Sequence, residues 1–251
     1  LKISKKEIQL KKSFLKKFIN TGFPNRKQED WKFLDISQII KKNISDLSFF
    51  NDYSLPNKID PSVFVDGLEH NKIIFINGRI EKIDFNYEDQ NQIKINDEIG
   101  KTITFDYKNS LIDLNNAFNN KVFKILKNKN YSLKKPLIIY HLTNDKIKSK
   151  NISLSLNFEL GENSSLRLID YFSDNTNKNF INILYNFDLK KYSILKNYKI
   201  DKFRNNNLKY SFNNIEQDEN SISETFILSA GSDYFKNEVN CNLNGEYSSA
   251  F

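Results

Sequence analysis

Residues able to do chemistry are few and scattered. The 251-residue chain holds two histidines, His70 and His141, and one cysteine, Cys241. A metal centre wants two or more such ligands at workable spacing, and neither His-Glu-x-x-His nor Cys-x-x-Cys occurs. His141 closes the apolar run Leu137-Ile138-Ile139-Tyr140 and reads as a plain strand-end histidine. Cys241 alternates with Val239 and Leu243, which predicts an inert thiol on a buried strand face; a redox or ligand role is the alternative. The acid pairs Glu29-Asp30, Glu88-Asp89 and Asp218-Glu219 sit in turn-like settings, where solvated carboxylates are expected in place of general acids and bases. Only 7 glycines occur, with no phosphate-cradling loop and no Gly-x-Ser-x-Gly. The inventory holds no recognisable catalytic or metal-binding motif.

The elements that would position these residues fall into three zones. Residues 4–20 have apolar positions at Leu10, Phe14 and Phe18, with lysines between them, and so read as a helix. Ser4 and Glu7 form a capping-box pattern; Gly22 and Pro24 end the helix. A second short helix, capped by Asp35 or Ser37, runs to Lys42, so residues 1–43 form a helical region with a connector inside it. Residues 44–135 are mixed. Asn77-Gly78, flanked by apolar runs, is a type I′ hairpin signal, and a short strand is expected at Ile103 to Phe105. Asn109 to Phe118 reads as a capped helix burying Leu111, Leu114, Ala117 and Phe118.

Residues 136–251 are strand after strand. Ile152 to Leu160, Ile181 to Leu189, Leu208 to Phe212, Ile222 to Leu228 and Val239 to Leu243 alternate apolar with polar, each half buried against a core. Turn clusters at Gly161–Ser164, Arg204–Asn207, Gln217–Asn220, Ser229–Ser232 and Asn244-Gly245 separate them. No strict repeat is visible, and alternation alone allows either a β-sandwich or a β-solenoid.

The net charge is +7, but seven lysines against Glu7 in residues 1–20 account for almost all of it. The basic character belongs to one helix and not to a domain-wide face, so neither nucleic acid nor a membrane is the expected partner. A surface binder using that helix remains an alternative. No run approaches the about 18 apolar residues of a membrane span. One cysteine excludes an internal disulfide and fits a reducing compartment. The chain has no Met and stops within a patterned stretch, so it reads as part of a longer protein.

The connector Phe23-Pro24-Asn25-Arg26-Lys27-Gln28-Glu29-Asp30-Trp31-Lys32-Phe33 resembles the N-terminal signature of the SufD proteins, subunits of the SUF iron–sulfur cluster assembly complex. Its family positions are Pro24, Arg26, Glu29, Asp30, Trp31 and Lys32. On physical grounds Trp31 and Phe33 are anchors, and Arg26 is expected to pair with Glu29 or Asp30. Ile74-Phe75-Ile76-Asn77-Gly78, Leu114-Asn115-Asn116-Ala117-Phe118, Pro136-Leu137-Ile138 and Gly161-Glu162-Asn163-Ser164-Ser165-Leu166 match further family stretches in order.

The resemblance implies a mainly β chain: a right-handed parallel β-helix after a small helical and mixed N-terminal region, with the family's C-terminal helical region missing. It implies a scaffold subunit that is not itself an enzyme, pairing with SufB through the β-helix and with the ATPase SufC, which carries the hydrolysis, through that C-terminal region. It also implies a transient iron–sulfur cluster on the assembled complex, with no cofactor held stably here. The cytoplasm is the expected compartment, or an organelle stroma if a transit peptide was removed. A carbohydrate-active β-helix enzyme, the remaining alternative, would want clustered carboxylates, and these are scattered.

Overall fold

The computed structural model of the protein describes residues 3–44, 47–49, 61–144, 147–173, 178–201, 207–229 and 234–251. Two long sheets enclose the core. The first runs β4 (Ile93–Ile99), β5 (Lys121–Lys127), β7 (Lys150–Leu160), β9 (Phe180–Leu189), β11 (Leu208–Gln217) and β13 (Tyr234–Leu243), with the short β1 (Ser48–Phe49) also on β7. The second runs β3 (Arg79–Asp84), β2 (Asn71–Ile76), β6 (Leu137–Leu142), β8 (Ser165–Ser173), β10 (Ile194–Asp201), β12 (Ile222–Ser229) and β14 (Ser249–Ala250). Among the described residues, β2–β3 and β4–β5 pair antiparallel and every other strand pair is parallel. From β5 onward the chain changes sheet at each strand, which makes a parallel β-solenoid of about 4 turns. Both sheets run across residue 135, because β2 pairs with β6 and β5 with β7.

In-register pairing stacks like positions turn upon turn. Inward-facing Ile152, Leu154, Leu156, Phe158 and Leu160 lie beside Ile181, Ile183, Tyr185, Phe187 and Leu189. With Leu166, Leu168 and Phe172 from the second sheet they fill the lumen. Outside the first sheet, Asn157, Asn186, Asn214 and Asn240 form a ladder. The amides of the last three each donate to the Oδ1 of the residue one turn earlier, at 3.0, 3.0 and 2.7 Å. The corners stack as well. Asn163, Tyr192, Asn220 and Tyr247 all take φ between 51 and 59°. The first three donate their backbone N–H to the carbonyls of Lys191, Glu219 and Glu246 on the next corner. Gly245 sits so close to the corner below that a Cβ would meet the Glu219 nitrogen at 2.0 Å.

The helices are α1 (Lys5–Thr21), α2 (Ile36–Asn43) and α3 (Ser110–Phe118), the last capped by the Asn109 side chain. Ser4 and Glu7 close the expected capping box of α1. The hairpin turn is Asn77 and Gly78, at φ 52 and 78°. Ile103 to Phe105 corrects the expectation of a strand: the Ile103 amide and carbonyl bond instead to the Asn116 side chain of α3, at 3.1 and 2.7 Å. The α3 helix lies on the outer face of the first sheet. Asn115 donates to the carbonyls of Leu154 and Asn182, and Asn182 donates back to Leu111. α1 covers α3, and Lys11 of the basic helix caps the C-terminal end of α3, donating to the Asn116 carbonyl at 3.3 Å and to the side-chain oxygen of the capping residue Asn119 at 2.7 Å. Burial pulls its ammonium down to about 8.

Outside the second sheet lies a strap. Val63, Phe64 and Val65 pack on Ile74, Ile138, Tyr140 and Leu142. Three apolar clusters result: the lumen, the helical layer and the strap. Of the sequence-predicted turns, residues 204–206 and 230–232 lie outside the described residues.

The signature connector is a latch in the helical layer. Trp31, in a 3-10 turn over Glu29–Trp31, is 3% exposed and packs with Ile36, Ile40, Tyr210 and Tyr234. Phe33 corrects the expectation of a second anchor, being 82% exposed. The two differ because the 3-10 turn buries only one of them. Trp31→Ala is expected to cost ~3–5 kcal/mol in urea unfolding, whereas Phe33→Ala should stay within about 0.5 kcal/mol.

Candidate functional site

The charged residues that the sequence scattered are gathered inside the solenoid. Asp170 on β8 and Lys199 on β10 share the inward parity of Leu166 and Leu195 and are register partners. Lys199 Nζ donates to Asp170 Oδ2 at 2.7 Å. The other oxygen, Oδ1, accepts from His141 Nε2 at 3.1 Å and from the Tyr185 hydroxyl at 3.0 Å. A carboxylate only accepts, so the imidazole carries its proton on Nε2. His141 is clamped between the rings of Phe75 and Phe172, at 5.7 and 4.6 Å with near-parallel planes. Lys199 Nζ also lies 3.8 Å from the Tyr185 ring centre. One row further along the strands, Lys209 of β11 pairs with Asp201 of β10, which also accepts from Ser229.

The cluster is sealed. The side chains of His141, Asp170, Lys199, Lys209 and Asp201 are no more than 5% exposed. Burial by itself would raise the Asp170 carboxyl; the Lys199 ammonium and the hydrogen bonds of His141 and Lys199 outweigh it and hold the group at about 2. Burial pushes the His141 imidazole below its ordinary range, against the pull of Asp170. It also lowers Lys199 and drives the Tyr185 phenol well above its usual value. At neutral pH the lumen therefore holds neutral His141 and two compensated ion pairs. An Asp–His–Tyr relay of this form is able to pass a proton, but it stands in contact with aromatic rings and not with solvent.

Beyond this layer the lumen turns polar. Ser223 donates to Gln217 Oε1 at 2.7 Å, and Gln217 donates to the carbonyls of Ser221 and Ser249. Asn197, 1% exposed, has no partner for either amide atom among the described residues. Cys241 is half buried against the lumen cluster, and burial raises its thiol. Its neighbours correct the expectation of a buried face: Val239 and Leu243 are exposed, because β13 is the edge strand of its sheet.

Two of the signature residues, Asp30 and Trp31, meet Lys236 on β13. Its Nζ lies 4.4 Å from the Trp31 ring centre and donates to the Asp30 carbonyl at 2.8 Å. It also pairs with Glu238, which accepts from Tyr210 and Asn109. Asp30 accepts from the Tyr107 hydroxyl at 3.3 Å. Glu29 pairs with Lys32 at 2.7 Å on the surface, and no described acid pairs with Arg26, contrary to expectation. Pro24 stands in the loop between α1 and the 3-10 turn. Of the acid pairs, Glu88 is not merely solvated: it accepts from Asn71, Tyr131 and the amides of Lys134 and Lys135. Among the described residues no group of three or more His, Cys, Asp or Glu is arranged to hold a metal ion. No described helix is long and apolar enough to cross a membrane.

Sequence reasoning missed the lumen cluster altogether. The available signal was parity: Asp170, Lys199 and Asp201 occupy inward positions of alternating strands.

Stacked parallel strands, tight corners and a side-chain-filled lumen define a parallel β-solenoid protein. Residues 143–251 match the family model described as the SufBD core domain of SUF system FeS cluster assembly. The match supports the SufB/SufD family and a part in SUF iron–sulfur cluster assembly, without choosing SufD over SufB. Comparison with curated proteins finds no match.

Two outcomes test the lumen geometry. Lys199→Met strands a buried carboxylate and is expected to cost ~3–5 kcal/mol in urea unfolding. Adding Asp170→Leu removes the stranded charge and should restore part of that loss, the Tyr185 hydroxyl and His141 Nε2, 3.2 Å apart, then bonding each other; equal losses in single and double variants would refute the pairing. The second outcome concerns pH. The folded His141 pKa lies below the unfolded value of 6.5, so stability is complete above that pH and falls as pH drops through it. The Asp170 contribution is lost lower, as pH falls from about 4 towards about 2. His141→Gln should flatten only the upper limb of stability measured against pH.

Proposed function

We propose that this chain is a SufD-type scaffold subunit of the SUF machinery, without catalysis of its own. In this reading it pairs with a SufB paralogue through the solenoid. It engages the ATPase SufC through a helical region of the kind SufD proteins carry after the solenoid. The growing iron–sulfur cluster is cargo on the assembled complex, and this chain keeps no cofactor. The compartment is the cytoplasm or an organelle stroma.

The observation that carries the reading is the coincidence of the matched stretch, residues 143–251, with the solenoid strands from β7 onward. Three features of the site favour a framework over an enzyme. The ionisable residues of the lumen face one another and are closed off from solvent. Trp31 and Asp30 of the signature latch the connector to β11 and β13. Hydrogen-bonded ladders run along the outside as well as the corners, which suits a stiff body with broad flanks.

Choosing SufD over SufB rests on the connector Pro24-Asn25-Arg26-Lys27-Gln28-Glu29-Asp30-Trp31-Lys32, which follows the SufD signature. Co-expression of the full-length protein with tagged SufB and SufC from the same source tests the proposal. A stable complex containing all three is expected on gel filtration. Failure to co-elute, with the chain itself folded by circular dichroism, would overturn the pairing. ATP hydrolysis by the purified chain alone would overturn the non-catalytic role.

A further inference from the structure

The strap shows how the second sheet takes an extended segment on its outer face. Phe64 meets the Tyr140 ring edge-on at 5.0 Å. The Val65 N–H donates to the Tyr140 hydroxyl at 3.1 Å. That hydroxyl donates in turn to His70 Nε2 at 2.8 Å, while His70 Nδ1 donates to the Leu68 carbonyl at 2.6 Å. A tyrosine standing on a strand thus reads one backbone amide and packs one aromatic ring.

The same apolar columns continue past the strap. Ile138, Ile169, Tyr198 and Phe226 are in register on successive strands, and so are Tyr140, Tyr171, Ile200 and Leu228. Tyr140 touches Tyr171 edge-on at 5.5 Å, and Ile169 and Tyr171 already belong to the strap's cluster. Beyond them Tyr198 and Ile200 are partly buried, and Phe226 and Leu228 are more than half exposed. The hydroxyls of Tyr171 and Tyr198 have no partner among the described residues. The Lys196–Glu224 ion pair borders the face. A notch of about 350 Å³ opens beside Tyr198 and Phe226.

We propose that the outer face of β8, β10 and β12 is a docking surface for an extended segment of another protein. That segment would carry an aromatic residue next to a β-branched one. Continuity with the strap interface supplies the chemistry: rings pack on the columns, and Tyr171 or Tyr198 accepts a backbone N–H. The free hydroxyls argue against a second copy laid flat on this face. A sheet face has its amides committed to its own ladders and offers no N–H to a tyrosine. The inference does not rest on SufB pairing, since co-purification can fail while peptide binding stands.

A fluorescent peptide of residues 62–70, SVFVDGLEH, titrated with the full chain provides the test. Saturable 1:1 binding is expected. Tyr198→Ser and Phe226→Ser should each weaken it at least about tenfold, with the thermal melt of each variant verifying its fold. Tyr171→Phe paired with Tyr198→Phe keeps the apolar face and removes only the acceptors; it should weaken binding several-fold. N-methylating the peptide at its second valine should do the same. Absence of saturation, or binding indifferent to all these variants, would refute the proposal. A dimer seen in sedimentation and abolished by Phe226→Ser would assign the face to a second copy and overturn it as well.

Discussion

Each inward residue of this protein is judged by the column it stands in. Parallel in-register pairing places a side chain about 4.8 Å from its equivalents on the strands above and below. Any column therefore has to suit several residues at once. Leucine and phenylalanine satisfy this easily, and Phe158 stacks on Phe187 with centroids 4.9 Å apart. Asparagine satisfies it outside, because one side chain offers both a donor and an acceptor and so repeats without limit. A column of one charge cannot repeat. The lumen answers by alternating: Asp170 stands beside Lys199, and both are buried.

This rule explains what was legible in the sequence. The strands whose inward faces are wholly apolar, β7 and β9, show clean alternation and were found with their limits nearly right. So were the capped helices, because Ser4, Glu7 and Asn109 make the local bonds their residue types favour. The Asn77-Gly78 turn needs no tertiary context. β8 and β10 escaped because Asp170, Asn197, Lys199 and Asp201 break the apolar series on the inward side. In a lone strand an inward charge is indistinguishable from an outward one. Only the partner one turn away, far off in sequence, gives it a reason. The corner repeat was hidden likewise. Gly161-Glu162-Asn163-Ser164 and Lys190-Lys191-Tyr192-Ser193 share a left-handed third residue and little identity. The Ile103 strand failed for the opposite reason: its residues suit a strand, yet Asn116 satisfies the backbone that a neighbour would have paired.

The candidate site was less legible than the fold. Trp31 and Phe33 lie two apart and look equivalent, yet only the register of one 3-10 turn decides which is buried. The latch also depends on Lys236 and Glu238, two hundred residues downstream in round terms, so no reading of the connector alone reaches them. Cys241 has the parity of a core residue on a strand that stands, among the described residues, at the edge of its sheet.

The buried charges remain to be accounted for, since a well-packed apolar pair is often as stable as a buried ion pair. Register supplies the reason. Strands this regular can slip by two residues and still point every side chain to its proper face; only a slip by one is excluded by polarity. Between β8 and β10 a slip in one direction would set Asp170 against Asp201 and leave Lys199 against Leu168. A slip in the other direction would set Asp170 against Asn197 and Lys199 against Phe172. In both, a buried ammonium loses its carboxylate, which costs several kcal/mol against the small cost of moving Leu onto Leu. His141 and Tyr185 sharpen the choice, because their hydrogen bonds reach Asp170 only in the observed register. The layer contributes little to net stability and much to the uniqueness of the stack. That uniqueness keeps the outer columns of Tyr171, Tyr198 and Phe226 aligned, and a flank is useful for docking only when its columns are.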